Sequence, residues 1–504
     1  MGVSVDSNSK LAEKTGVVVF ARIFTTFVEL GTAIALVRLL SDTHFAIISF
    51  LLLVYETAKY VATLGFPDSI FYFFERVAHD TRAGFAYMTC AIMGVTGMAA
   101  FGLMFAFQGV LPAYLSNWAP ESIAMAQQLL PVMAWVALLE IPTWPVGNIL
   151  LAADRQRSAS WYQLINGTAT FGALIGPISM GYGLDVALYA LLAVSGIRFA
   201  GSFIWLWMVL PPYQNRPGRA LFREQVVFSV PIGISALVSR INRYADKFIV
   251  SYFLAEATVA QYNVGAQEIP IVRVIPFAVG SVLISRFVQF QMEDKRDELR
   301  ELWHKGIEKV SLIVLPLTLF FIATGSEFIT ILFGEGYREA VLPFQIYTLT
   351  VLIRVTNYGS ILQAFGDTKG ILRLSLNLMV LKIALGIAFT VWFGIIGTAV
   401  SSVLAHGLNW LLYLRRIGGH MALPWYEVIP FKSYARILGV SAVTALLVWI
   451  SIRSGLPVHG IGAFIASMAL FMVVFVGLGR FTGILSAQDL RFVRDWFRLK
   501  FLIP

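Results

Sequence analysis

One cysteine, Cys90, is all that 504 residues contain. A single thiol excludes a disulfide framework and a cysteine metal site, and Cys90 reads as a small apolar residue inside a helix. Charge is also scarce. Asp, Glu, Lys and Arg make up 13% of the chain, against about 25% in a soluble domain, too little to clothe a soluble surface. No Gly-rich phosphate loop of the Walker type is present, which argues against direct ATP hydrolysis. The six histidines form no ligand spacing, so no metal site is assigned. His406 stands alone in its span and reads as a packed polar residue. The start of the chain, 1–14, is polar and lacks a cleavable signal pattern, so the first apolar run is expected to insert directly.

What is present is apolar length. Hydrophobic residues make up 58% of the chain and the mean hydropathy is +0.75. The fold class expected is an all-α polytopic membrane protein. Fourteen apolar spans are read at 16–40, 44–64, 83–108, 126–151, 160–180, 186–210, 226–253, 258–281, 308–333, 341–364, 371–393, 395–414, 434–452 and 459–479. Each approaches the roughly 20 residues that cross a bilayer. With a cytoplasmic N-terminus, an even count puts the C-terminus there as well. The presumed cytoplasmic segments then hold 26 Lys and Arg, and the opposite loops only Arg338 and Arg453. This is the positive-inside asymmetry, and it accounts for most of the net charge of +9 without nucleic acid. The longest external loops, 109–125 and 334–340, carry no basic or His-rich set of the kind a polysaccharide polymerase or ligase needs. No catalytic residue is assigned.

The remaining ten bases lie inside spans: Arg22, Arg38, Lys59, Arg198, Arg240, Arg243, Lys247, Arg273, Arg354 and Lys382. The clear intramembrane acids are five: Glu29, Glu56, Glu140, Asp246 and Glu268. Charge at that depth costs about 3 kcal/mol per residue on the lenient insertion scale and marks a pathway or site. The densest stretch is Ser239-Arg240-Ile241-Asn242-Arg243-Tyr244-Ala245-Asp246-Lys247. Its three bases fall within roughly 60° on one helical face, and Asp246 cannot balance all three. An interior with this bias calls for an anion. A net basic cavity argues against an organic-cation antiporter. Arg22 with Glu29, and Glu56 with Lys59, read equally well as neutral pairs within one helix. Glu140, beside Pro142 and Pro145, reads as a structural acid. Tyr55, Tyr60 and Tyr262 are placed to touch sugar rings or simply to pack.

Two segments, 291–309 and 486–500, mix Leu or Phe and Trp with charge. They fit helices lying on an anionic lipid surface, with plain loop helices as the alternative. The chain also repeats weakly. Residues 37–48 lie on 251–262, 149–157 on 361–369, and Gly183 on Gly394, at offsets of 214, 212 and 211. Three matches in order define two six-span halves, 1–215 and 216–415, followed by an extra pair of spans within 416–504. Such halves place a site near the midplane, with the first two spans of each lining a cleft. Glu268 and Arg273 share that cleft only if span 8 is irregular, which Pro270 and Pro276 permit.

Asp246-Lys247-Phe248 closing span 7, Ala260-Gln261-Tyr262-Asn263-Val264-Gly265 in span 8, and Phe365-Gly366-Asp367-Thr368-Lys369 after span 10 resemble the Wzx-type polysaccharide transporters. These are lipid-linked oligosaccharide flippases of the multidrug/oligosaccharidyl-lipid/polysaccharide (MOP) exporter superfamily. The resemblance covers nearly the whole chain. It implies transport of an undecaprenyl-pyrophosphate-linked glycan, an O-antigen or exopolysaccharide repeat unit, from the cytoplasmic to the periplasmic leaflet of a bacterial inner membrane, with membrane lipid as surroundings. It further implies work beside a polysaccharide polymerase and chain-length machinery, with no cofactor beyond a proton or sodium gradient. Arg240, Arg243 and Lys247 would meet the pyrophosphate, helped by Arg22, Lys59, Arg273, Arg354 and Lys382. Glu29, Glu56, Asp246 and Glu268 are the ion-coupling candidates. A multidrug antiporter and a flippase for the peptidoglycan precursor, both of the same superfamily, are the alternatives.

Overall fold

The computed structural model describes residues 24–210, 215, 217–454 and 460–485, without side chains at 270–274, 277, 278, 281, 282 and 285. Arg22, the Arg273 side chain and the helix expected over 486–500 fall outside the described residues. The described chain is helical. After α1 over 24–39 come α2 Asp42–Thr63, α3 Phe66–Phe73, α4 Arg82–Tyr114, α5 Pro120–Glu140, α6 Val146–Ala152, α7 Gln156–Ser179, α8 Leu184–Val209 and α9 Arg219–Phe253. Then follow α10 Glu256–Gly265, α11 Pro270–Met292, α12 Arg296–Ala323, α13 Gly325–Phe333, α14 Val341–Ile353, α15 Tyr358–Ala364, α16 Thr368–Met421, α17 Phe431–Arg453 and α18 Gly460–Phe481. No strand occurs among the described residues, and nine helical stretches there are long and apolar enough to cross a membrane. The protein is a multi-pass all-α membrane protein.

Several expected spans are broken where their sequences demand it. Leu64 and Gly65 take positive φ, 42° and 76°, and separate α2 from α3. Pro142 and Pro145 flank the turn between α5 and α6; proline cannot donate the helical bond and crowds the preceding turn. Span 8 is irregular as its prolines suggest: α10 stops at Gly265, and Pro270 opens α11. Gly394, at φ 58° and ψ −142°, interrupts α16. Fifty-four residues of straight helix would measure about 81 Å, far more than the roughly 30 Å of hydrocarbon. Instead α16 doubles back. Thr390 and Thr398 share a hydroxyl hydrogen bond of 2.7 Å, and Asp367 at one end grips Arg416 near the other. It is an αα-hairpin of two spans.

The chain forms two compact units, Met1–Asn263 and Val264–Pro504. In the first, α5 packs on α4, α8 and α2, and α9 packs on α2 and α3. Phe73, Phe74, Phe85, Ile149 and Leu206 form part of its core. The far end of α9 is fastened by the α4–α5 turn. Tyr114 donates to the Phe248 carbonyl at 2.8 Å, and the Trp118 indole to that of Ser251 at 3.1 Å. Glu256 accepts from the Ala119 amide at 3.2 Å and from the Ser122 hydroxyl at 3.0 Å. It thereby caps an α5 N-terminus whose own cap residue, Ala119, has no oxygen to offer. In the second unit, α12 packs on α11, α14 and α17, with Trp303, Leu315, Ile361 and Ile417 in the core.

The segment 291–309 departs from the surface-helix expectation. From Arg296 it is the leading part of α12. Leu299 and Trp303 are both 2% exposed, and Trp303 donates to the Val428 carbonyl at 2.9 Å. Its apolar stripe meets protein rather than lipid.

The sequence repeat is also a backbone repeat. At the first landmark the amide of Leu40 bonds the Leu36 carbonyl and that of Phe45 the Ser41 carbonyl; 214 residues on, Leu254 bonds Val250 and Val259 bonds Ala255. At the second, Ala153→Ile149, Asp154→Leu151, Arg155→Leu150 and Ala159→Arg155 recur as Phe365→Ile361, Gly366→Gln363, Asp367→Leu362 and Ile371→Asp367. The shared left-handed residues are Asp154 at φ 58° and Gly366 at φ 71°. The third pair differs: Gly183 is an extended helix cap at φ −71°, whereas Gly394 is the turn of a hairpin. Compactness groups α9 with the first unit, while the expected halves 1–215 and 216–415 rest on duplicated sequence.

Candidate functional site

The site begins with a backbone crossing. A Cβ on Gly65 would stand 2.5 Å from the Ser229 carbonyl oxygen and 2.8 Å from the Gly233 amide, so α9 passes the break between α2 and α3 almost in contact. This crossing brings α9 residues seven and more positions on beside the last turns of α2. The Arg240 guanidinium lies 3.5 Å from the centroid of the Tyr60 ring, a stacked cation–π contact. Arg240 is half-buried and Arg243, one turn on, is exposed. Tyr60 and Tyr244 both sit in the field of Glu56, Arg240 and Arg243, and Tyr60 also in that of Glu29.

Beneath this surface lies Lys59, 5% exposed. It is ion-paired with Glu56, and its ammonium lies 4.5, 4.7 and 5.9 Å from the ring centroids of Trp144, Tyr55 and Tyr60. The Tyr55 hydroxyl donates to Glu140 Oε2. Glu140 Oε1 accepts from Arg198 Nη1 at 2.6 Å and Ser195 Oγ at 2.8 Å. Arg198 spends its second terminal nitrogen on Thr170 Oγ1 at 2.6 Å and the Asn166 carbonyl at 3.1 Å. One chain of polar contacts thus runs from Arg240 through Tyr60, Lys59 and Tyr55 to Glu140 and Arg198, joining α9, α2, α5, α8 and α7.

Asp246 faces another way. It is 3% exposed and accepts from the Tyr262 hydroxyl at 2.9 Å and from the Lys247 amide at 3.0 Å. Tyr262 is 1% exposed, so it is a packing residue tied to Asp246. Lys247 is half-buried.

The second unit gathers its own group. Glu268, in the break between α10 and α11, pairs with Arg354 at 3.2 Å. His406 lies in the field of Lys382, Arg354 and Glu268, and its Nδ1 donates to the Ser402 carbonyl at 2.7 Å. Lys382 is 3% exposed. Glu268, Arg354 and Lys382, read separately along the sequence, form one cluster around His406.

At a span end of the same unit, Asp367 accepts from Arg416 Nε and Nη2 at 2.6 and 2.8 Å, bonds His420 Nε2 at 2.9 Å, and caps α16 through the Gly370 amide at 3.0 Å. The Arg416 fork holds the Asp367 carboxyl well below the usual carboxylate range. Among the described residues no group of three His, Cys, Asp or Glu side chains is placed to hold a metal ion.

Arg240, Arg243, Lys59 and Glu56, expected along one cleft, lie near one another. Trp144 and the Glu140–Arg198 pair join them without any such expectation. The signal for Trp144 was its place between Pro142 and Pro145, where a broken helix turns a ring out of the span. Glu140 and Arg198 are 58 residues apart, and no local spacing joins them. Among the described residues of the expected spans, eight bases stand against five acids. The surplus of positive charge persists and is weighted toward α9.

Residues 35–342 match the family described as polysaccharide biosynthesis protein. The probable low-salt glycan biosynthesis flippase Agl15 of Haloferax volcanii is 22% identical over 49% of this chain and 52% of its own. The teichuronic acid biosynthesis protein TuaB of Bacillus subtilis is 26% identical over 26% of this chain and 28% of its own. The chain spans about half, or less, of the length of these curated relatives. In structure it is similar to the lipid II flippase MurJ in an inward closed conformation, with a TM-score of 0.69 at 14% identity over 91% of this chain and 97% of that one. It is similar too to an inward-facing multidrug resistance MATE transporter of the MOP superfamily, with a TM-score of 0.66 at 14% identity over 79% and 96%. These likenesses fix the fold, and the match over 35–342 fixes the family: the chain belongs to the polysaccharide biosynthesis protein family and carries the fold of the MOP transporters.

Proposed function

We propose that the protein flips an undecaprenyl-pyrophosphate-linked oligosaccharide, an O-antigen or exopolysaccharide repeat unit, from the cytoplasmic to the periplasmic leaflet of a bacterial inner membrane. Both chain termini would be cytoplasmic. The observation that carries this reading is the α9 face on which Arg240, stacked flat on the Tyr60 ring, and the exposed Arg243 one turn on stand as neighbours. Two guanidinium groups suit a pyrophosphate, which accepts bidentate charge-assisted hydrogen bonds. Arg240, Arg243 and Lys247 bind the head group, and the prenyl tail remains in the bilayer. Arg354 and Lys382 form a second cationic station. Alternating access moves the head group without bond making or breaking, so the protein is a transporter and no enzyme. Glu29, Asp246 and Glu268 are the carboxylates for coupling to a proton or sodium gradient. A polysaccharide polymerase with its chain-length machinery receives the flipped unit.

The test is transbilayer movement in proteoliposomes. A fluorescent undecaprenyl-pyrophosphate oligosaccharide and an organic cation are compared in wild type and in Arg240→Ala/Arg243→Ala. Movement of the anionic lipid, abolished by the double substitution in protein that still folds, supports the reading and the site. Cation export without lipid movement overturns it. Lipid movement untouched by the substitution keeps the function and removes α9 from the binding site.

A further inference from the structure

Lys59 is placed unlike the other bases. Its ammonium touches a carboxylate, Glu56, and lies within 6 Å of three ring centroids, those of Trp144, Tyr55 and Tyr60. The three rings come from two segments, α2 and the proline-bracketed turn before α6. Several aromatic faces and one carboxylate around a cation are the arrangement by which proteins bind ammonium ligands. Lys59 as a whole residue is 5% exposed, so little water reaches its ammonium and the box carries most of its solvation. Reaching an anion would cost Lys59 both its carboxylate and its rings, whereas Arg240 on the next residue's ring remains accessible.

We propose that Glu56, Tyr55, Tyr60 and Trp144 form an ammonium-binding site whose resident ligand is the side chain of Lys59. The chain thus fills with its own residue a pocket that would otherwise take a small organic cation. Two consequences follow. Glu56 is committed to Lys59 and does not exchange a coupling ion. Lys59 is a positioning residue, holding the Tyr60 ring under Arg240, rather than a phosphate ligand. The inference stands on the box alone and does not require the flippase reading.

The test empties the box. Lys59→Ala removes Cγ to Nζ, a fragment the size of propylammonium. In purified Lys59→Ala, propylammonium is expected to raise Tm saturably in the millimolar range. It should do so in neither wild type nor Lys59→Ala/Glu56→Gln, and n-propanol should not reproduce the effect. Where wild type moves the lipid-linked glycan, propylammonium should also restore Lys59→Ala transport toward the wild-type rate. If Lys59→Ala yields no folded protein, expression in propylammonium is expected to restore its yield. A Tm or yield in Lys59→Ala that ignores propylammonium, or responds equally to propanol, overturns the proposal. A saturable Tm shift in a protein whose wild type moves no glycan lipid leaves the box in place and overturns only the flippase reading.

Discussion

The Arg240 guanidinium stacks on the Tyr60 ring at 3.5 Å, so the first cation of the charged stretch on α9 is held flat by an aromatic residue of α2. A stacked guanidinium keeps its edge nitrogens for a second partner, which an ammonium in the same place does not. Arg240→Lys is therefore expected to behave much like Arg240→Ala. Each should lower transport of the pyrophosphate-linked lipid by about tenfold, the equivalent of one charge-assisted hydrogen bond. Initial rates in proteoliposomes check this, and a Lys variant with wild-type rates would show that point charge alone suffices.

Glu140 and Arg198 form a buried pair at 2.6 Å, with side chains 10% and 12% exposed. Removing one partner strands the other in a low-dielectric interior, at about 3–5 kcal/mol. Glu140→Gln keeps a single acceptor oxygen where Tyr55 and Ser195 use one each, and it leaves Arg198 uncompensated. Glu140→Gln and Arg198→Met are each expected to lower Tm in detergent markedly. The double variant should recover much of the loss, since no lone charge remains. Tm values that add in the double variant would place the two residues in separate roles.

Most of the architecture could be read from the chain because hydropathy, proline and glycine act locally. The hairpin turn falls at Gly394, between the expected spans 371–393 and 395–414, and the repeats near 40 and 154 return as matched backbone hydrogen bonds. The clusters were less legible. Charge counting found the basic surplus but not its partners, because Arg198 meets Glu140 and Arg354 meets Glu268 only through tertiary packing. The segment 291–309 misled for a related reason. An apolar stripe with basic flanks is written the same way for a lipid surface and for a protein groove, and Trp303 chose the Val428 carbonyl.

Asp367 closes the hairpin of α16 at its open end through Arg416 and His420. Its carboxyl is held below the ordinary value by the Arg416 hydrogen bonds. A carboxylate lowered in the folded state stabilises that state above its unfolded value of about 3.9. The contribution fades as pH falls from there through the lowered value. The Tm difference between wild type and Asp367→Asn is thus expected to stay nearly constant from pH 8 to about 5 and to shrink below about 4. A difference that grew on acidification would contradict the assignment.

Gly233 sets the geometry on which Arg240 depends. Its amide lies 2.8 Å from where a Gly65 Cβ would be, and Gly65 holds φ 76°, so both positions resist any side chain for backbone reasons. Gly233→Ala forces α9 away from the α2–α3 break, with an overpacking cost of about 1–3 kcal/mol. Seven residues along α9, that displacement lifts Arg240 off Tyr60. The variant is expected to lose transport of the anionic lipid while a conservative change of similar size elsewhere on α9, Ala236→Ser on its exposed face, does not. Crosslinking between cysteines placed at 60 and 240 reports the separation directly: efficient in the Gly233 background, it should fall when Gly233→Ala is added. Equal crosslinking in both would mean that the crossing does not control the stack, and that Arg240 finds Tyr60 by its own side-chain freedom.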